Sequence, residues 1–575
     1  MKTKSLYLAV ALGMMLGFSS CNLDTFPSDE LQSDALLQDV KGAEYIMDGC
    51  YAVLKDEVEF LGYASGNTYV RHYFQMAEYP ADNICLCASS TDPLYEACAY
   101  MMNDGLKNVG TLWMVAYKAI YMCNTVIESL DASDPNNNQL LGEAYFMRGL
   151  LHLHLVTLYA KPYSFGRDNL GVPLRTASVS DKTVRNSVGE VYDQIAADLR
   201  KAADLMSVDG RVKGNYGYPR KESALGLLSR VYLYMEKWDD CIAVVNEALN
   251  GASPASKLEP TATFGQYFAN AKTSSETLFC IAHEMTDDRK QSSIGSMYNG
   301  DGGGWGEVYA SDPLLFLYQR YPTDIRYTDF LSPQYKAGST RIIGYFVDPT
   351  SIPSPNGTVR HMPIAVLTDD GSGNYSFTDN GTKYNLEKRQ INGEGKADNT
   401  GEYYEYHVNY GGTDCAVLVA PEMTLSTKGI TYPMVFVNKF SYQDGNPMLS
   451  SPVVCRWAEV ILNRAEAYAH NGQDAQALAD VDVIRTRAGI PAAGMFTGNM
   501  HGYSNALNVV LDERRLELAF EGHRMFDVYR NKLNMDRRYP GAQPWKIVPY
   551  DEPRIQYPIP NNEWTVSGIE QNPGY

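Results

Sequence analysis

Residues 457–489, WAEVILNRAEAYAHNGQDAQALADVDVIRTRAG, carry the pattern from which the fold can be predicted. Small and apolar residues recur in them every three or four positions, which predicts two amphipathic helices. Ala465 and Tyr468 take this spacing in the first helix, and Gly472 makes the turn. The second helix is filled by Ala477, Val481 and Ile484. Small residues let two helices approach while large ones interlock, so the stretch predicts a closely packed helical hairpin.

The same spacing of small and apolar residues recurs in residues 227–249, LLSRVYLYMEKWDDCIAVVNEAL. Tyr232 ends one helix there, and Trp238 opens the next. The small–large–small positions are taken by Cys241, Val245 and Ala248. Both segments are degenerate matches to the tetratricopeptide pattern. Residues 142–160 add a helix that is apolar on two sides, which is typical of a helix packed between neighbours. The sequence therefore predicts a mainly α fold with tetratricopeptide-type helix pairs as its scaffold.

A long stretch, about residues 251–450, interrupts the helical patterning. It is rich in turn clusters such as YNGDGGGWG (298–306) and INGEGKADNTGE (391–402). Short strand-like runs appear at TLFCIAH (277–283) and YPMVFVNKF (432–440). We therefore predict an irregular insertion of loops and short strands, carried by a helical scaffold over residues 41–250 and 451–535. Loops of this length on a rigid scaffold are usually functional or disordered.

The N-terminus has the form of a secretion signal. Lys2 and Lys4 precede an apolar run, residues 6–18, that is too short to span a bilayer. Ser19 and Ser20 then lead directly to Cys21, an arrangement that resembles a lipoprotein signal. We predict a signal peptide over residues 1–20, lipidation of Cys21 and a polar, acidic tether over residues 21–40. The alternative is an ordinary cleavage site followed by an incidental cysteine.

Composition and charge exclude several kinds of partner and site. The formal net charge is -19, and such a surface repels phosphate backbones, so we predict no nucleic-acid partner. Of the ten cysteines, Cys21 aside, nine remain, an odd number that cannot all pair with one another. Cys85, Cys87 and Cys98 have neither a second pair nor a nearby histidine at metal-binding spacing, which favours free, buried thiols.

Motifs for catalysis are missing from the sequence. It has no H-E-x-x-H zinc helix, no G-x-S-x-G nucleophile elbow and no phosphate-binding loop. The helix-like segment LDERRLELAFEGHR contains charged groups that could look like acid/base pairs, but ion pairing within and between helices is the simpler interpretation. These groups are Glu513, Arg514, Arg515 and Glu517. We predict that the protein is not an enzyme and that it uses no metal or cofactor.

Five segments of the sequence have a distinctive character and order: CRWAEVILNRAEAYAHNG (455–472), LDERRLELAFEGHRMFDVYRN (511–531), YPIPNNEW (557–564), the closing QNPGY and, earlier, DNLGVPLR (168–175). Together they resemble the SusD/RagB family of nutrient-binding outer-membrane lipoproteins. The resemblance implies a scaffold of four tetratricopeptide-like helix pairs with a variable ligand-binding face. It also implies a lipid-anchored position on the outer surface, as a lid over a TonB-dependent transporter of the SusC type. Members bind glycans or, in some branches, peptides, and their ligand contacts differ, so no site transfers by motif.

The residues themselves suggest two groups of ligand contacts. Trp305 stands among glycines, so its indole should be exposed and able to stack on a sugar ring, with Tyr298 and Tyr309 on either side. The alternative is that Trp305 folds back onto its own loop. A second group comes from the segment between the first helix and Trp113, which holds Tyr63, Tyr69, Arg71, Tyr73 and Tyr95, and the resemblance places it near the same face. From this group we predict Arg71, Tyr73 and Tyr95 as ligand contacts; the alternative is that a strand buries some of these rings. For Trp113, Trp238 and Trp457 we predict positions in the helical core.

Three functions are compatible with these features of the sequence. The first is capture of oligosaccharide or polysaccharide at the cell surface for a transporter, which the aromatic loop favours. The second is capture of peptides by a member of the same family. The third is a tetratricopeptide adaptor with protein partners alone, against which the lipoprotein signal and the long insertion argue. We predict the first.

Overall fold

The computed structural model describes residues 40–86, 95–179, 184–347, 364–398, 401–426 and 432–575. The predicted signal peptide, Cys21, the tether up to residue 39 and Cys87 lie outside these ranges. Within the described chain, no helix is both long and apolar enough to cross a membrane. The fold is mainly α, as predicted, with seventeen α-helices in the described residues.

Eight of the described helices precede the insertion. They are α1 (Val40–Ala52), α2 (Tyr69–Glu78), α3 (Tyr95–Ala99), α4 (Lys107–Ser129), α5 (Asn138–Tyr159), α6 (Val188–Leu205), α7 (Lys221–Tyr234) and α8 (Trp238–Leu249). The remaining helices are α9 (Thr261–Phe264), α10 (Ile294–Tyr298), α11 (Asp312–Gln319), α12 (Ile325–Thr328), α13 (Trp457–His470), α14 (Asp474–Arg487), α15 (Ala506–Glu517), α16 (Arg524–Arg530) and α17 (Asn561–Ser567).

The long helices pack as a continuous array of antiparallel neighbours. From α4 to α8 each helix packs on the next along the chain, and α13 then packs on α7 and α8 as though no insertion stood between them. The turns have local causes: Gly472 adopts φ +70° between α13 and α14. Ser187 and Glu190 form a capping box at the start of α6. The array buries the two-sided apolar helix α5 between α4 and α6, as its sequence predicts.

Fifteen strands are present in the described residues, most of them in the insertion. They are β1 (Ile84–Leu86), β2 (Thr277–Cys280), β3 (Val308–Ala310), β4 (Leu331–Pro333), β5 (Ile342–Val347), β6 (Ile364–Asp369), β7 (Tyr375–Asp379), β8 (Thr382–Asn385), β9 (Glu387–Ile391), β10 (Tyr403–Tyr410), β11 (Thr413–Pro421), β12 (Val435–Val437), β13 (Val453–Arg456), β14 (Met535–Asp536) and β15 (Ile547–Val548). The antiparallel pair β2–β13 closes the base of the insertion, with Cys280 opposite Val453.

The insertion is more regular than the sequence predicts. Seven of its strands form one antiparallel sheet in the order β8-β7-β6-β5-β11-β10-β9. Tyr384 of β8 lies 5.4 Å from Tyr410 of β10, ring centre to ring centre, although four strands separate them in this order. The sheet therefore curls into a half-barrel, and it encloses a small core of its own around Phe346, Phe377 and Val417. The prediction of an irregular loop region was wrong for this part.

A buried ion network ties the insertion to the C-terminal helices. Its cations are Lys439, Arg326, Arg456, Arg485 and Arg487, and its anions are Glu276, Asp324, Glu513, Glu517 and Glu521. Glu517 is the hub, since Arg456, Arg326 and Arg487 all bind its carboxylate. Nearby, Arg514 pairs with Asp527 and Arg515 with Asp82. The charged motif 513–517 thus serves packing, as the ion-pair interpretation predicts.

Cysteines and tryptophans largely occupy the predicted positions. The eight cysteines within the described residues are buried, Cys85 and Cys98 among them. Trp457 and Trp113 are buried, at 1% and 3% exposure. Trp238 is only half-buried, because its ring stacks on His470 at the edge of the array, with 4.0 Å between the ring centres.

Candidate functional site

The Trp305 loop, residues 299–306, connects α10 to β3 and presents its tryptophan at the surface. Gly302 and Gly303 adopt φ +65° and +90°, a region that favours glycine and lets the chain reverse tightly. A Cβ at Gly304 would come within 2.0 Å of the Asn299 carbonyl oxygen, so the backbone has no room for a side chain there. The glycines fold the loop against itself, and Trp305 remains 45% exposed.

The orientation of the exposed indole is fixed by hydrogen bonds. Trp305 Nε1 donates to the carbonyl oxygen of Gln291 at 3.0 Å. The side-chain amide of Gln291 in turn donates to the carbonyl oxygen of Gly303 at 2.8 Å. The polar edge of the ring is thus bound to protein while much of the remaining surface faces solvent. An oriented, partly exposed aromatic ring is a platform on which a flat apolar surface can stack.

A second loop, residues 442–447, lies beside the Trp305 loop and supplies polar groups. Tyr442 donates from its hydroxyl to the Asp301 carboxylate at 2.6 Å, and Asn446 donates to Asp288 at 2.9 Å. Burial and then the hydrogen bond to Asp301 raise the pKa of Tyr442, so its phenol remains a donor at neutral pH. The Trp305 loop and its neighbour therefore bring together a carboxylate and a phenol, groups that can bind the hydroxyls of a ligand.

Arg71 contacts the segment that leads into the Trp305 loop. It lies on α2 and is 8% exposed, and its Nη1 approaches the carbonyl oxygen of Ser292 at 3.5 Å. Nη2 approaches the sulfur of Met297, also at 3.5 Å. The segment that contains Gln291 and Ser292 thus contacts Arg71 on one side and Trp305 on the other. The structure does bring the two predicted residues together, but it corrects the role of Arg71, which is buried beneath the loop.

Three of the predicted tyrosines are in the core, which corrects their assignment as ligand contacts. Tyr298 is fully buried and packs against Phe440 and Phe520. Tyr309, on β3, is 1% exposed, and Tyr73, on α2, is 6% exposed. The physical reason is long-range packing: the ring of Tyr309 stacks with that of Tyr432, and the ring of Tyr73 with that of His154, 3.7 Å away.

Tyr95 belongs to a different neighbourhood. It is half-buried on α3, and its hydroxyl donates to the carbonyl oxygen of Ala542 at 3.1 Å. Burial raises its pKa, and the charge of Arg537 acts in the opposite direction. These contacts place Tyr95 against the C-terminal segment, and no described contact joins it to the Trp305 loop. Of the six predicted contacts, only Trp305 is well exposed.

Metal-binding chemistry has little support in the described parts of the chain. No group of three or more histidine, cysteine, aspartate or glutamate side chains is arranged there to hold a metal ion. Burial lowers the pKa of His72 and His152 to about 3 and that of His283 to about 4, so these rings are neutral core residues at pH 7. The surface at Trp305 is suited to binding, through stacking and hydrogen bonds.

Sequence reasoning missed Gln291, Asp301 and Tyr442. The glycine cluster indicated that the Trp305 side chain would be exposed, but nothing in the local sequence joins residues 291 and 442 to it. Tyr442 adopts φ +68° within the turn-rich run SYQDGNP, and such runs mark a loop without indicating which other loop it contacts.

Comparison with known proteins gives consistent results. A family model described as "SusD family" matches residues 270–575, and one described as "Starch-binding associating with outer membrane" matches residues 53–233. SusD-like protein P2 of Formosa agariphila is 25% identical over 496 residues, which cover 83% of this chain and 82% of that protein.

Solved structures share the fold. A SusD superfamily protein from Bacteroides thetaiotaomicron superposes with a TM-score of 0.66 at 20% identity, over 94% of this chain and 100% of the other. A laminarin-binding SusD-like protein superposes with a TM-score of 0.59 at 19% identity, over 93% and 100% of the two chains.

Proposed function

The chain belongs to the SusD/RagB family, and we propose that it is a cell-surface glycan-binding protein that delivers oligosaccharides or polysaccharides to a SusC-like TonB-dependent transporter. It acts by binding, without catalysis. The observation that carries the proposal is the exposed, oriented indole of Trp305 with hydroxyl-binding groups in its loop and the neighbouring one. The starch-binding description of one matching family model and the laminarin-binding structural relative support the same ligand class.

Replacing Trp305 with Ala should weaken glycan binding at least about tenfold. A tryptophan that anchors a small interface typically contributes about 2 kcal/mol or more, which corresponds to more than about tenfold in affinity. The measurement is calorimetric titration with laminarin and with maltoheptaose, chosen as neutral β- and α-glucan probes, and with any further glycan that the wild type binds.

The matched control is Tyr45→Ala, which removes another exposed ring, on α1, at 64% exposure. The Tyr45→Ala variant should bind glycan with the affinity of the wild type. Unchanged affinity in the Trp305 variant, with the wild type binding normally, would show that Trp305 only closes its own loop and that the glycan binds elsewhere.

We also propose a domain organisation for the chain and a lipid anchor that attaches it to the membrane. Residues 1–20 serve as the signal peptide, Cys21 carries the lipid and residues 21–40 are the tether. Residues 41–575 are one SusD-like domain, whose helical pairs are of the tetratricopeptide type. More than one acyl chain on Cys21 would hold the protein firmly on the outer membrane, where a single chain binds only marginally.

Replacing Cys21 with Ala should release the protein from the membrane fraction without changing its melting temperature. Membrane fractionation measures the release. A Cys21 variant that stays in membranes after a high-pH carbonate wash contradicts the lipid anchor.

The wild type, extracted in mild detergent at native expression, should co-purify with a large TonB-dependent barrel. Recovery of the wild type alone, with an intact transporter present in the same cells, contradicts the proposed partner.

A further inference from the structure

A second aromatic pocket lies on the helical array. Three rings of α4 recur at every fourth residue and so share one face of the helix: Trp113, Tyr117 and Tyr121. The extended segment 173–179 forms the opposite wall, and Glu563 of α17 closes one end. The cavity has a volume of about 330 Å³, and none of its lining residues belongs to the Trp305 loop. That volume is within the range of pockets that take small ligands.

The rings form a floor and a rim. Trp113 and Tyr117 lie 5.0 Å apart, ring centre to ring centre, and Trp113 is almost wholly buried, so these two make the floor. The hydroxyl of Tyr117 donates to the carbonyl oxygen of Pro173 at 2.8 Å, which holds its ring in place. Tyr121 is 56% exposed at the rim. A ligand with an apolar face can therefore stack on Tyr121.

Polar groups converge on the same space. The half-buried Glu563 carboxylate is close enough to the Trp113 indole and to the Arg175 guanidinium for both to influence it. Burial raises the pKa of Glu563, while the Trp113 indole and the Arg175 guanidinium act in the opposite direction. One carboxylate and one guanidinium line the pocket, so their charges balance. This lining suits an uncharged ligand with several hydroxyl groups better than an anion or a cation.

The wall at 173–179 offers little backbone to a peptide. Asn124 donates to the carbonyl oxygens of Arg175 and Ala177, and Arg148 donates to that of Thr176. The N–H groups of Leu174, Arg175 and Ser178 donate to Asn186, His152 and Glu128. Peptides that bind as an added strand need free backbone groups at an edge. The pocket must therefore recognise its ligand mainly through side chains.

We propose that this pocket, lined by Trp113, Tyr117, Tyr121 and Glu563, is a second saccharide site that binds a short stretch of a neutral glycan. It rests on the proposed glycan-binding role of the chain but not on the Trp305 loop. Tyr121 stacks on a sugar ring, and the Glu563 carboxylate accepts hydrogen bonds from sugar hydroxyls. Two separate sites on one chain would raise the avidity for a long polysaccharide above that for a short oligosaccharide.

The test uses the full mature chain carrying Trp305→Ala, so that the first site is weakened. Laminaribiose, maltose and cellobiose serve as neutral probes, a glucuronate-containing disaccharide as the anionic probe and a tripeptide as the peptide probe. Saturation-transfer NMR should detect at least one neutral disaccharide. Tyr121→Ala, added to this chain, should weaken that binding about fivefold or more, the effect of losing one stacking contact, while Tyr121→Phe should keep it. Glu563→Gln should weaken it too.

Several results would overturn the proposal. One is that no neutral disaccharide binds to the Trp305→Ala chain, and another is that binding persists unchanged when Tyr121→Ala and Glu563→Gln are combined. Competition by the tripeptide, or preference for the anionic disaccharide, would assign the pocket to another ligand class. The two proposals can fail separately: Trp305→Ala alone reports on the first site, and Tyr121→Ala in an otherwise wild-type chain reports on the second.

Discussion

Replacing Glu517 with Gln should lower the free energy of unfolding by about 3–5 kcal/mol at neutral pH, the cost of breaking a buried ion pair. Glu517 is fully buried, and three guanidinium groups bind its carboxylate: those of Arg326, Arg456 and Arg487. The amide keeps the shape of the side chain but removes its charge. The network then has five cations against four anions, and the excess positive charge is buried.

The pH dependence of this effect follows from the same contacts. Burial opposes ionisation of Glu517, yet Arg487, Arg456 and Arg326 hold its pKa far below the usual range. A carboxylate whose pKa is depressed on folding contributes stability above its unfolded pKa, near 4.3, and loses it as the pH falls through that value toward the folded pKa. The difference in stability between wild type and Glu517→Gln should therefore be largest at pH 6–8 and should narrow below about pH 4. Urea unfolding across this range measures it.

The matched control is Glu247→Gln, which removes the same group from an exposed pair with Arg200. Exposed pairs contribute at most about 1 kcal/mol, so this variant should unfold close to the wild-type midpoint. Equal stabilities for the Glu517 and Glu247 variants would show that the buried network is no more important for stability than a surface ion pair.

Helical parts of the fold could be predicted because their signals are local. The spacing of Ala465, Tyr468 and Gly472 is sufficient to indicate a hairpin, and the structure has α13, the turn and α14 there. The boundary between Tyr232 and Trp238 likewise falls between α7 and α8. A helix buries one stripe against a neighbour, so its sequence carries the period of its own packing.

The half-barrel sheet could not be predicted in the same way. Its strands β8 and β9 read TKYN and EKRQI, short polar runs with no apolar alternation, and glycine-rich turns separate several of the others. They are strands because they pair with neighbours, and β5 pairs with β11 across about seventy residues of chain. Strand formation here depends on pairing that local composition does not encode.

In the candidate site, too, the features set by neighbouring residues could be predicted and those set by long-range packing could not. Exposure of Trp305 follows from the glycines beside it, which are local, whereas burial of Tyr298 and Tyr309 follows from Phe440 and Tyr432, more than a hundred residues away. Trp113 was predicted to be core, and the structure places it both in the core and at the floor of the second pocket. A residue at the base of a pocket has the same helical spacing as any other core residue.

Replacing Trp457 with Ala should cost about 3–5 kcal/mol of stability, the usual range for deleting a buried tryptophan. Trp457 begins α13, the helix that carries the array past the insertion, and its backbone N–H donates to the carbonyl oxygen of Glu276 at 2.9 Å. Lys257 covers its ring, with Nζ 4.7 Å from the ring centre. Removing the ring leaves a cavity where α13 meets β2 and the ion network, so the surroundings cannot collapse without disturbing buried charges. Urea unfolding of the variant measures the loss.

Trp305→Ala is the counterpart of Trp457→Ala, because it makes the same substitution at a ring that is 45% exposed. Its unfolding midpoint should stay close to that of the wild type while its glycan affinity falls, whereas Trp457→Ala should lose stability yet bind normally at temperatures where it is folded. The pair separates the scaffold from the surface that it carries. A large loss of stability in the Trp305 variant, or little loss in the Trp457 variant, would reverse the roles that burial assigns to these two rings.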